Sequence, residues 1–460
     1  MHHIMNEIYK AAQRRLDAAL KLADETRTIL IGEGTLAQTA DLFRQCFGER
    51  AAVIVADHNT YNAAGKALES QLRQQNTGDF HLAETFLFPN ETFHADREHA
   101  DMLVSHIAKN DAIPIAVGSG TINDLTKLAS YECKRPYMVI TSAASMDGYT
   151  AFGASVEVEQ SKQTMYCPAP VAVLVDMNIV AAAPREMGSW GYADLIAKLP
   201  AGADWILADT VGAEAIDPVA WPLVQEHLRD WLANPEGIAQ RDKASLAHLI
   251  EGLLMSGLGM QKVKSSRTAS GAEHQFSHLW DNQNHTYNGQ APSHGAKVGI
   301  GTISISALYE RVIALSKEDL LASKQTIADW KWEWPKVESK IREHFGEGDL
   351  ARQMLGQYRQ KYVEPDETLR RIDVLADHWD ELREKLKRQN MPAATVQNMI
   401  RQCGAPSTPE EIGISRERLF RSFEQAQLIR YRYNVLDFAR ETGLWNRLID
   451  PIFAPGGIWE

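Results

Sequence analysis

The sequence predicts an α/β N-terminal domain with a mostly parallel sheet, followed by an all-α C-terminal domain. Short apolar runs alternate with helical stretches up to about residue 175, and long amphipathic patterns replace them from about residue 184. Apolar strands that are joined by crossover helices form parallel sheets covered on both faces. The predicted strands lie at residues 28–31, 51–56, 84–88, 112–118, 137–141 and 171–175.

The change of pattern near residue 180 predicts two domains. A chain of 460 residues with 44% hydrophobic content is long enough for two cores. We therefore expect an α/β domain at 1–180 and a helical domain at 181–460. The helical domain should end in an extension, from about residue 316, whose closely spaced aromatic residues indicate core packing or the subunit interface of a homo-oligomer.

Composition argues against two classes of binding partner, nucleic acids and membranes. The net charge of −12 and the pI near 5.7 argue against a nucleic-acid surface and against a polybasic membrane contact. No apolar run approaches the ~18 residues of a membrane span, so we expect no membrane insertion and a cytoplasmic protein. Cysteine spacing fits reduced, packed thiols better than disulfides or a thiolate zinc site. The cysteines are Cys46, Cys133, Cys167 and Cys403.

Two glycine turns follow predicted strands. The first, "GEGTLA" at Gly32 to Ala37, is a literal G-x-G-x-x-A, and Asp57 ends the next strand, as in a dinucleotide-binding, Rossmann-like sheet. Such a turn also occurs without a ligand. Asp57 could accept ribose hydroxyls and repel a 2′-phosphate, which favours NAD over NADP; the alternative is a solvated aspartate at a strand end.

The second turn, in "AVGSGTINDLTKLA", leads directly into a helix. Small residues there let backbone N–H groups and the positive helix end approach a pyrophosphate. Its residues are Gly118, Ser119, Gly120 and Thr121. Two such turns on one sheet favour a dinucleotide over a simple phosphate.

The segment "VITSAASMDGYTAFG" follows the fifth predicted strand. It places Ser142, Ser145 and Asp147 at the carboxyl end of that strand, the edge where open α/β sheets bind ligands. The hydroxyls could bond a cofactor, and Asp147 could face a polar substrate. Turn and cap roles are the alternative for all three residues.

Histidines are concentrated at residues 270–295. His274 and His278 are four residues apart on a predicted helix and project from one face. A zinc peptidase would need a glutamate after the first histidine, but that residue is Gln275, and Glu273 lies on the other side. The peptidase interpretation is therefore rejected.

Two further residues complete a candidate metal site. His294 follows a proline-containing loop and precedes a helix, and Asp194 is an acid inside an apolar helical stretch, which is costly unless it is paired or bound to metal. Two imidazoles and one carboxylate leave coordination positions open, which is typical of catalytic sites. His285, in a polar loop, is no candidate.

Five segments, in order, make the sequence similar to the sn-glycerol-1-phosphate dehydrogenases, within the superfamily of iron- or zinc-containing alcohol dehydrogenases and dehydroquinate synthases. The resemblance runs from about residue 28 to 310. Its motifs are "GSGTINDLTK", "TSAASMDGYT", "GYADLIAKLPAGADW", "SGAEHQFSH" and "SHGAKVGIGT". It implies a dehydroquinate synthase-like fold.

The resemblance also implies residue roles. Asp194, His274 and His294 would bind one divalent ion (zinc, nickel or iron), and Asp147 and His278 would be the catalytic residues at the substrate. Residues 118–121, Ser142 and Ser145 would hold the nicotinamide cofactor, so the Gly32 turn becomes secondary. Ala151 replaces a serine that contacts the cofactor in archaeal members, which puts one hydrogen bond in doubt.

The implied reaction interconverts dihydroxyacetone phosphate and sn-glycerol 1-phosphate. The metal would polarise the ketone oxygen while NADH, or alternatively NADPH, delivers hydride, and His278 could orient the substrate or relay the proton. Lys262, Lys264 and Arg267 are candidates for the substrate phosphate, the alternative being a solvated charge cluster.

Three other functions stay open. They are a polyol dehydrogenase for an unphosphorylated substrate, a dehydroquinate synthase-like sugar-phosphate cyclase, and a catalytically silent binding or scaffold protein. The cyclase branch typically has glutamate where Asp194 stands here.

Overall fold

The computed structural model describes residues 2–74, 81–89, 93–158, 161–330 and 332–460. Two compact units make up the chain, and each is discontinuous in sequence. The first comprises Met1–Leu195, Pro218–Ser266 and Gln402–Gly404. The second comprises Ile196–Asp217, Arg267–Arg401 and Ala405–Glu460.

The first unit contains the predicted parallel sheet. Its strands are β1 (Thr28–Gly32), β2 (Ala52–Ala56), β3 (Phe86–Leu87), β4 (Ile113–Gly118), β5 (Met138–Thr141) and β8 (Ala172–Asp176), and β6 (Ala154–Val158) and β7 (Ser161–Met165) form a separate antiparallel pair. The six-stranded order is β1-β8-β5-β4-β2-β3, and every pairing in it is parallel. All six predicted strands are confirmed, whereas the hairpin of β6 and β7 was not predicted.

Register brings the ends of distant strands together. Gly32 at the end of β1 pairs with Asp176 at the end of β8. Gly118 at the end of β4 pairs with Thr141 at the end of β5. The two glycine turns therefore begin beside different neighbours, although both lie at the carboxyl edge of one sheet.

Helices cover the sheet and extend the first unit. They are α1 (His2–Leu20), α2 (Thr39–Phe47), α3 (His58–Thr60), α4 (Lys66–Gln74), α5 (Arg97–Ile107), α6 (Gly120–Glu132), α7 (Met177–Ala182), α8 (Arg185–Ile196), α10 (Ala220–Gln225), α11 (Leu228–Trp231), α12 (Pro235–Ala239) and α13 (Lys243–Val263). A 3-10 turn at Thr35–Gln38 and a π turn at Tyr61–Gly65 interrupt this pattern. Helix α1 packs on α13, where Arg15 donates two hydrogen bonds to the buried Glu251 carboxylate at 2.5 and 2.8 Å.

The second unit is built from helices, as the amphipathic patterns predict. They are α9 (Lys198–Thr210), α14 (Ala272–Asn282), α15 (His294–Ile313), α16 (Lys317–Trp330), α17 (Trp334–Phe345), α18 (Asp349–Lys361), α19 (Pro365–Asp377), α20 (Trp379–Gln389), α21 (Ala393–Gln402), α22 (Arg416–Leu428), α23 (Val435–Glu441) and α24 (Trp445–Phe453). Helices α14 and α15, which carry the histidines, pack directly against each other.

Aromatic residues of the carboxyl-terminal extension pack inside this unit. Trp379 is buried and donates a hydrogen bond from its indole N–H to the carbonyl of Leu315 at 2.9 Å. The Arg440 guanidinium lies 5.0 Å from the ring centre of Trp332 and 4.0 Å from that of Trp445. These residues therefore serve the core, and the predicted subunit interface stays a prediction.

Within the described ranges, no single helix has the length and apolar content needed to cross a bilayer. One pair, His294–Ile313 with Lys317–Gln325, reaches both only when its two helices are taken together across a 93° bend.

Candidate active site

The three candidate histidines of α14 and α15 lie together. His274 is buried and His278 is half-buried one turn later on the same face of α14, as predicted. His294 is the first residue of α15. The ring centre of His274 lies 5.3 Å from that of His294 and 6.5 Å from that of His278, and His278 and His294 are 6.3 Å apart.

The Nδ1 atoms of His274 and His294 each contact a neighbouring side chain. Nδ1 of His274 lies 2.7 Å from Oε1 of Glu273, and Nδ1 of His294 lies 3.2 Å from Oγ of Ser277. A carboxylate partner favours the tautomer with the proton on Nδ1 of His274, in which the other nitrogen can act as a metal ligand.

Asp194 completes a group with the donor atoms of a metal site. It is completely buried in α8, and its Oδ2 accepts the backbone N–H of Asp147 at 3.1 Å. Asp194, His274 and His294 each offer one ligand atom, and the three atoms lie within 4.8 Å of one another. Two imidazole nitrogens and a carboxylate oxygen suit zinc, nickel or iron and leave positions for a substrate. These residues fit a catalytic metal ion.

The loop after β5 is fixed at both ends. The Asp147 carboxylate accepts a hydrogen bond from the Ser256 hydroxyl at 2.8 Å. The Lys127 ammonium, which is completely buried on α6, donates to the carbonyls of residues 148, 151 and 153 at 3.1, 2.8 and 2.8 Å. Burial lowers the pKa of Lys127, and the nearby Asp124 carboxylate opposes this shift. Three carbonyl acceptors compensate the buried cation.

The Gly118 turn connects β4 to the long helix α6. A Cβ on Gly118 would lie 2.5 Å from Cβ of Ile122, so only glycine fits. The Gly118 carbonyl accepts the N–H of Ser142 at 3.1 Å, which joins this turn to the start of the β5 loop. Later in that loop, burial raises the pKa of Tyr149, and a hydrogen bond with Ser145 opposes the shift. The predicted residues of the second turn and Ser142 therefore share one edge of the sheet.

The Gly32 turn has a different environment. The Asp176 carboxylate accepts the N–H groups of Gly34 and Leu36 at 3.1 and 3.0 Å. Asp57 caps α3 by accepting the N–H of Thr60 at 2.7 Å. A protein carboxylate already occupies the amides that a pyrophosphate would use, which agrees with a secondary role for this turn.

The basic residues before α14 contact protein acids and carbonyls. Lys262 lies 4.0 Å from Asp24, and Lys264 pairs with Glu25. Arg267 is buried and donates to the carbonyls of Tyr433 and Asp204 at 3.0 and 2.8 Å. All three therefore contact groups of the protein itself, and their role at a phosphate stays a prediction.

His285 lies in structural contacts outside the histidine group. Its Nε2 lies 2.7 Å from the Ile412 carbonyl, and its Nδ1 lies 2.9 Å from a guanidinium nitrogen of Arg418.

Sequence reasoning missed Lys127, Ser256, Glu273 and Asp204 as site residues. Lys127 had a visible signal, because it is the one long basic side chain among the apolar and short polar residues of "INDLTKLAS". Ser256 gave none, because a serine in a long apolar helix is common. Burial, and then the neighbouring Glu273 carboxylate, raise the pKa of Asp204 to about 7, which marks a pair of acids behind His274.

Comparison with known proteins agrees with this architecture. Residues 30–184 match the model of the iron-containing alcohol dehydrogenases. The structure of glycerol dehydrogenase from Schizosaccharomyces pombe superposes with a TM-score of 0.57 over 93% of this chain and 92% of that chain, at 14% identity. That likeness supports the fold.

Curated relatives define the family. The NAD(P)+ glycerol-1-phosphate dehydrogenase of Geobacillus thermodenitrificans is 30% identical over 386 residues, covering 83% of this chain and 84% of that protein. The corresponding protein of Halalkalibacterium halodurans is 33% identical over 313 residues, covering 66% and 77%. The predicted family resemblance is thereby confirmed, and the chain belongs to the glycerol-1-phosphate dehydrogenase family.

Proposed function

We propose that this chain is a metal-dependent, NAD(P)-linked oxidoreductase that interconverts dihydroxyacetone phosphate and sn-glycerol 1-phosphate. The observation that carries the proposal is the convergence of ligand atoms from Asp194, His274 and His294 within 4.8 Å. The names of the relatives support the substrate and the cofactor class.

Asp194, His274 and His294 would hold one divalent ion. When bound, such an ion supplies Lewis-acid polarisation of a ketone oxygen. The donor set suits zinc, nickel and iron alike and does not choose among them. Asp194 has a second function, because its carboxylate also accepts the backbone N–H of Asp147 and so holds this residue of the loop after β5.

Asp147 and His278 are the proposed catalytic residues at the substrate. The Ser256 hydroxyl donates to the Asp147 carboxylate and so orients it, and this carboxylate would accept a hydrogen bond from a substrate hydroxyl. His278 lies one helical turn from His274, so its ring can hold the proton that the C2 oxygen gains on reduction. Lys127 stabilises this loop, because its ammonium group donates hydrogen bonds to three of the loop's carbonyls.

The Gly118 turn is the proposed pyrophosphate site of the cofactor. Its residues, Gly118 to Thr121, present the first N–H groups of α6, where negative charge is stabilised. Ser142 and Ser145 would bond the nicotinamide end. Asp57 would face the ribose with the oxygen that is not bonded to Thr60, which favours NAD over NADP.

The substrate phosphate would contact at least one of Lys262, Lys264 and Arg267. Loss of Arg267 would also remove buried contacts to two carbonyls, so its substitution tests stability together with binding. Lys264→Ala is the cleaner test, because this side chain is partly exposed. A role in phosphate binding requires a higher KM for dihydroxyacetone phosphate with unchanged affinity for NADH.

The test combines elemental analysis of the purified protein with NADH oxidation on dihydroxyacetone phosphate before and after chelation. We expect one transition metal per chain, turnover that chelation abolishes, and little turnover with unphosphorylated glycerol in the reverse direction. Asp194→Asn and His274→Ala should lose both metal and turnover. His285→Ala, a histidine outside the site, is the matched control and should keep both.

Turnover that survives complete removal of the metal would contradict the proposal. Preference for glycerol over glycerol 1-phosphate would instead assign the chain to a polyol dehydrogenase.

A further inference from the structure

Two completely buried acids lie at the first turn of α14, and neither belongs to the proposed ligand set. Oε1 of Glu273 accepts the backbone N–H of Gly271 at 2.7 Å and contacts Nδ1 of His274 at 2.7 Å. Oδ2 of Asp204, on α9, accepts the backbone N–H of Ala272 at 2.7 Å. The turn that carries His274 is therefore held by two carboxylates.

Glycine at position 271 makes room for this pair. A Cβ there would collide with Oδ2 of Asp204 and would lie 2.9 Å from Oε2 of Glu273. The other Asp204 oxygen accepts the Tyr309 hydroxyl at 2.6 Å and the N–H of Val435 at 2.8 Å. These hydrogen-bond partners of the two acids all belong to the second unit.

Burying two carboxylates at one helical turn costs free energy of folding. A buried carboxylate loses its hydration, and apolar side chains of similar volume are often neutral or stabilising in its place. Stability alone therefore does not account for Glu273 beside a histidine. Its contact with Nδ1 supplies another reason, because a carboxylate on one imidazole nitrogen fixes the tautomer and orientation of the ring and raises the basicity of the other nitrogen.

We infer that Glu273 is a positioning residue that orients His274 for metal binding, with Asp204 holding the same turn through the N–H of Ala272. This inference rests on the proposed function. Glu273 precedes His274 in the sequence, whereas a peptidase base would follow it. Its contact with Nδ1 of His274 suits the positioning role.

His294 provides an internal comparison. Its Nδ1 lies 3.2 Å from the Ser277 hydroxyl, which is a neutral and more distant partner than the 2.7 Å carboxylate contact of His274. Hydrogen bonds to ionised groups are shorter and about twice as strong as neutral ones. Metal affinity should therefore depend more on Glu273 than on Ser277.

The experiment measures Zn²⁺ affinity of the full-length protein by competition with a chelator, together with the visible spectrum of the Co²⁺-substituted protein. Glu273→Gln keeps the size of the side chain and removes its charge, and it should weaken Zn²⁺ binding by about 10- to 100-fold. Ser277→Ala should weaken it less. The Co²⁺ spectrum of Glu273→Gln should differ from that of the wild type.

Glu441→Gln is the matched control. Glu441 is another acid of the second unit; its side chain is only 13% exposed, and it pairs with Arg371 at 2.8 Å. Its substitution should change the free energy of unfolding and leave Zn²⁺ affinity at the wild-type value. Equal weakening in both variants would overturn the inference, because the effect would then be general to buried acids.

A second measurement determines the tautomer of His274 in the protein with Glu273 unchanged. Long-range ¹H–¹⁵N spectra of the histidine-labelled, metal-depleted wild type should show the Nδ1-protonated tautomer for His274, assigned by His274→Gln. The Nε2-protonated tautomer, or wild-type Zn²⁺ affinity in Glu273→Gln, would overturn the inference and leave the proposed function intact. A wild-type chain that binds no Zn²⁺, nickel or iron would overturn both.

Discussion

The two glycine turns at the edge of the sheet have similar sequences and different environments. The Gly32 turn matches the dinucleotide fingerprint literally, yet its amides donate to Asp176. The Gly118 turn lacks the full fingerprint, yet it opens onto the 13-residue helix α6. A glycine pattern thus indicates a tight turn after a strand, and the neighbouring strand decides whether the amides of that turn are available.

Register and helix length explain the difference. Gly32 pairs with Asp176, so an acid reaches the first turn from the adjacent strand β8. Gly118 pairs with Thr141, so the residue opposite this glycine is a threonine and not an acid. The first turn continues as the four-residue 3-10 segment Thr35–Gln38, which carries little helix dipole, whereas α6 is long enough to stabilise an anion at its start.

The largest effect is expected from Asp176→Ala. This change removes the acceptor of three backbone N–H groups, on Gly34, Leu36 and Asn178, so it should lower the free energy of unfolding by about 3 kcal/mol. Urea unfolding measures the loss, and Asp242→Ala, which removes a helix cap on α13, should cost only about 1 kcal/mol. NADH affinity, measured on the folded protein, should not fall; a large fall would make the Gly32 turn a cofactor site.

Gly118→Ala changes the second turn, and its main effect should be weaker binding of NADH. The added Cβ forces Ile122 or the turn to move, at a cost of about 1–3 kcal/mol, which corresponds to about 10- to 100-fold weaker NADH binding if the turn holds the pyrophosphate. Fluorescence titration with NADH measures the change. Unaltered affinity would remove the distinction between the two turns.

Lys127→Met tests whether α6 also supports the substrate site, because Lys127 binds the loop that carries Asp147. The three carbonyls of the β5 loop would lose a charged donor, and displacement of Asp147 should raise the KM for dihydroxyacetone phosphate by about tenfold while NADH affinity stays within twofold. Steady-state kinetics and NADH titration separate the two effects. Lys109→Met, at an exposed lysine after α5, is the control and should change neither quantity.

Gly34→Ala should have the smallest effect. The φ of Gly34 is +69°, and no atom lies within 4 Å of the added Cβ, so the cost is that of the left-handed backbone, about 1–2 kcal/mol of stability. NADH affinity should equal that of the wild type. A loss comparable to that of Gly118→Ala would show that both turns contact the cofactor.

Local patterns predicted most of the first unit, because strand and helix periodicity are properties of short segments. The missed hairpin of β6 and β7 had such a signal in the alternation of Ala154, Val156 and Val158, but it is short and carries polar residues between them. For the site, the i, i+4 spacing placed His274 and His278 on one face. The grouping of His274 with His294 and Asp194 was a hypothesis from the chemistry of these residues, which the family resemblance repeated.

The sequence by itself determined the parallel sheet, the helical second unit, the positions of both glycine turns and the shared face of two histidines. Each depends on residues within a few turns or one strand of one another. Only the tertiary structure decided that Asp176 closes one turn, that Lys127 fixes the β5 loop and that Glu273 and Asp204 hold the turn of His274. Asp176 and Gly34 are 142 residues apart, and Asp204 and Ala272 are 68 apart. Such contacts follow from strand register and helix packing, which no local pattern encodes.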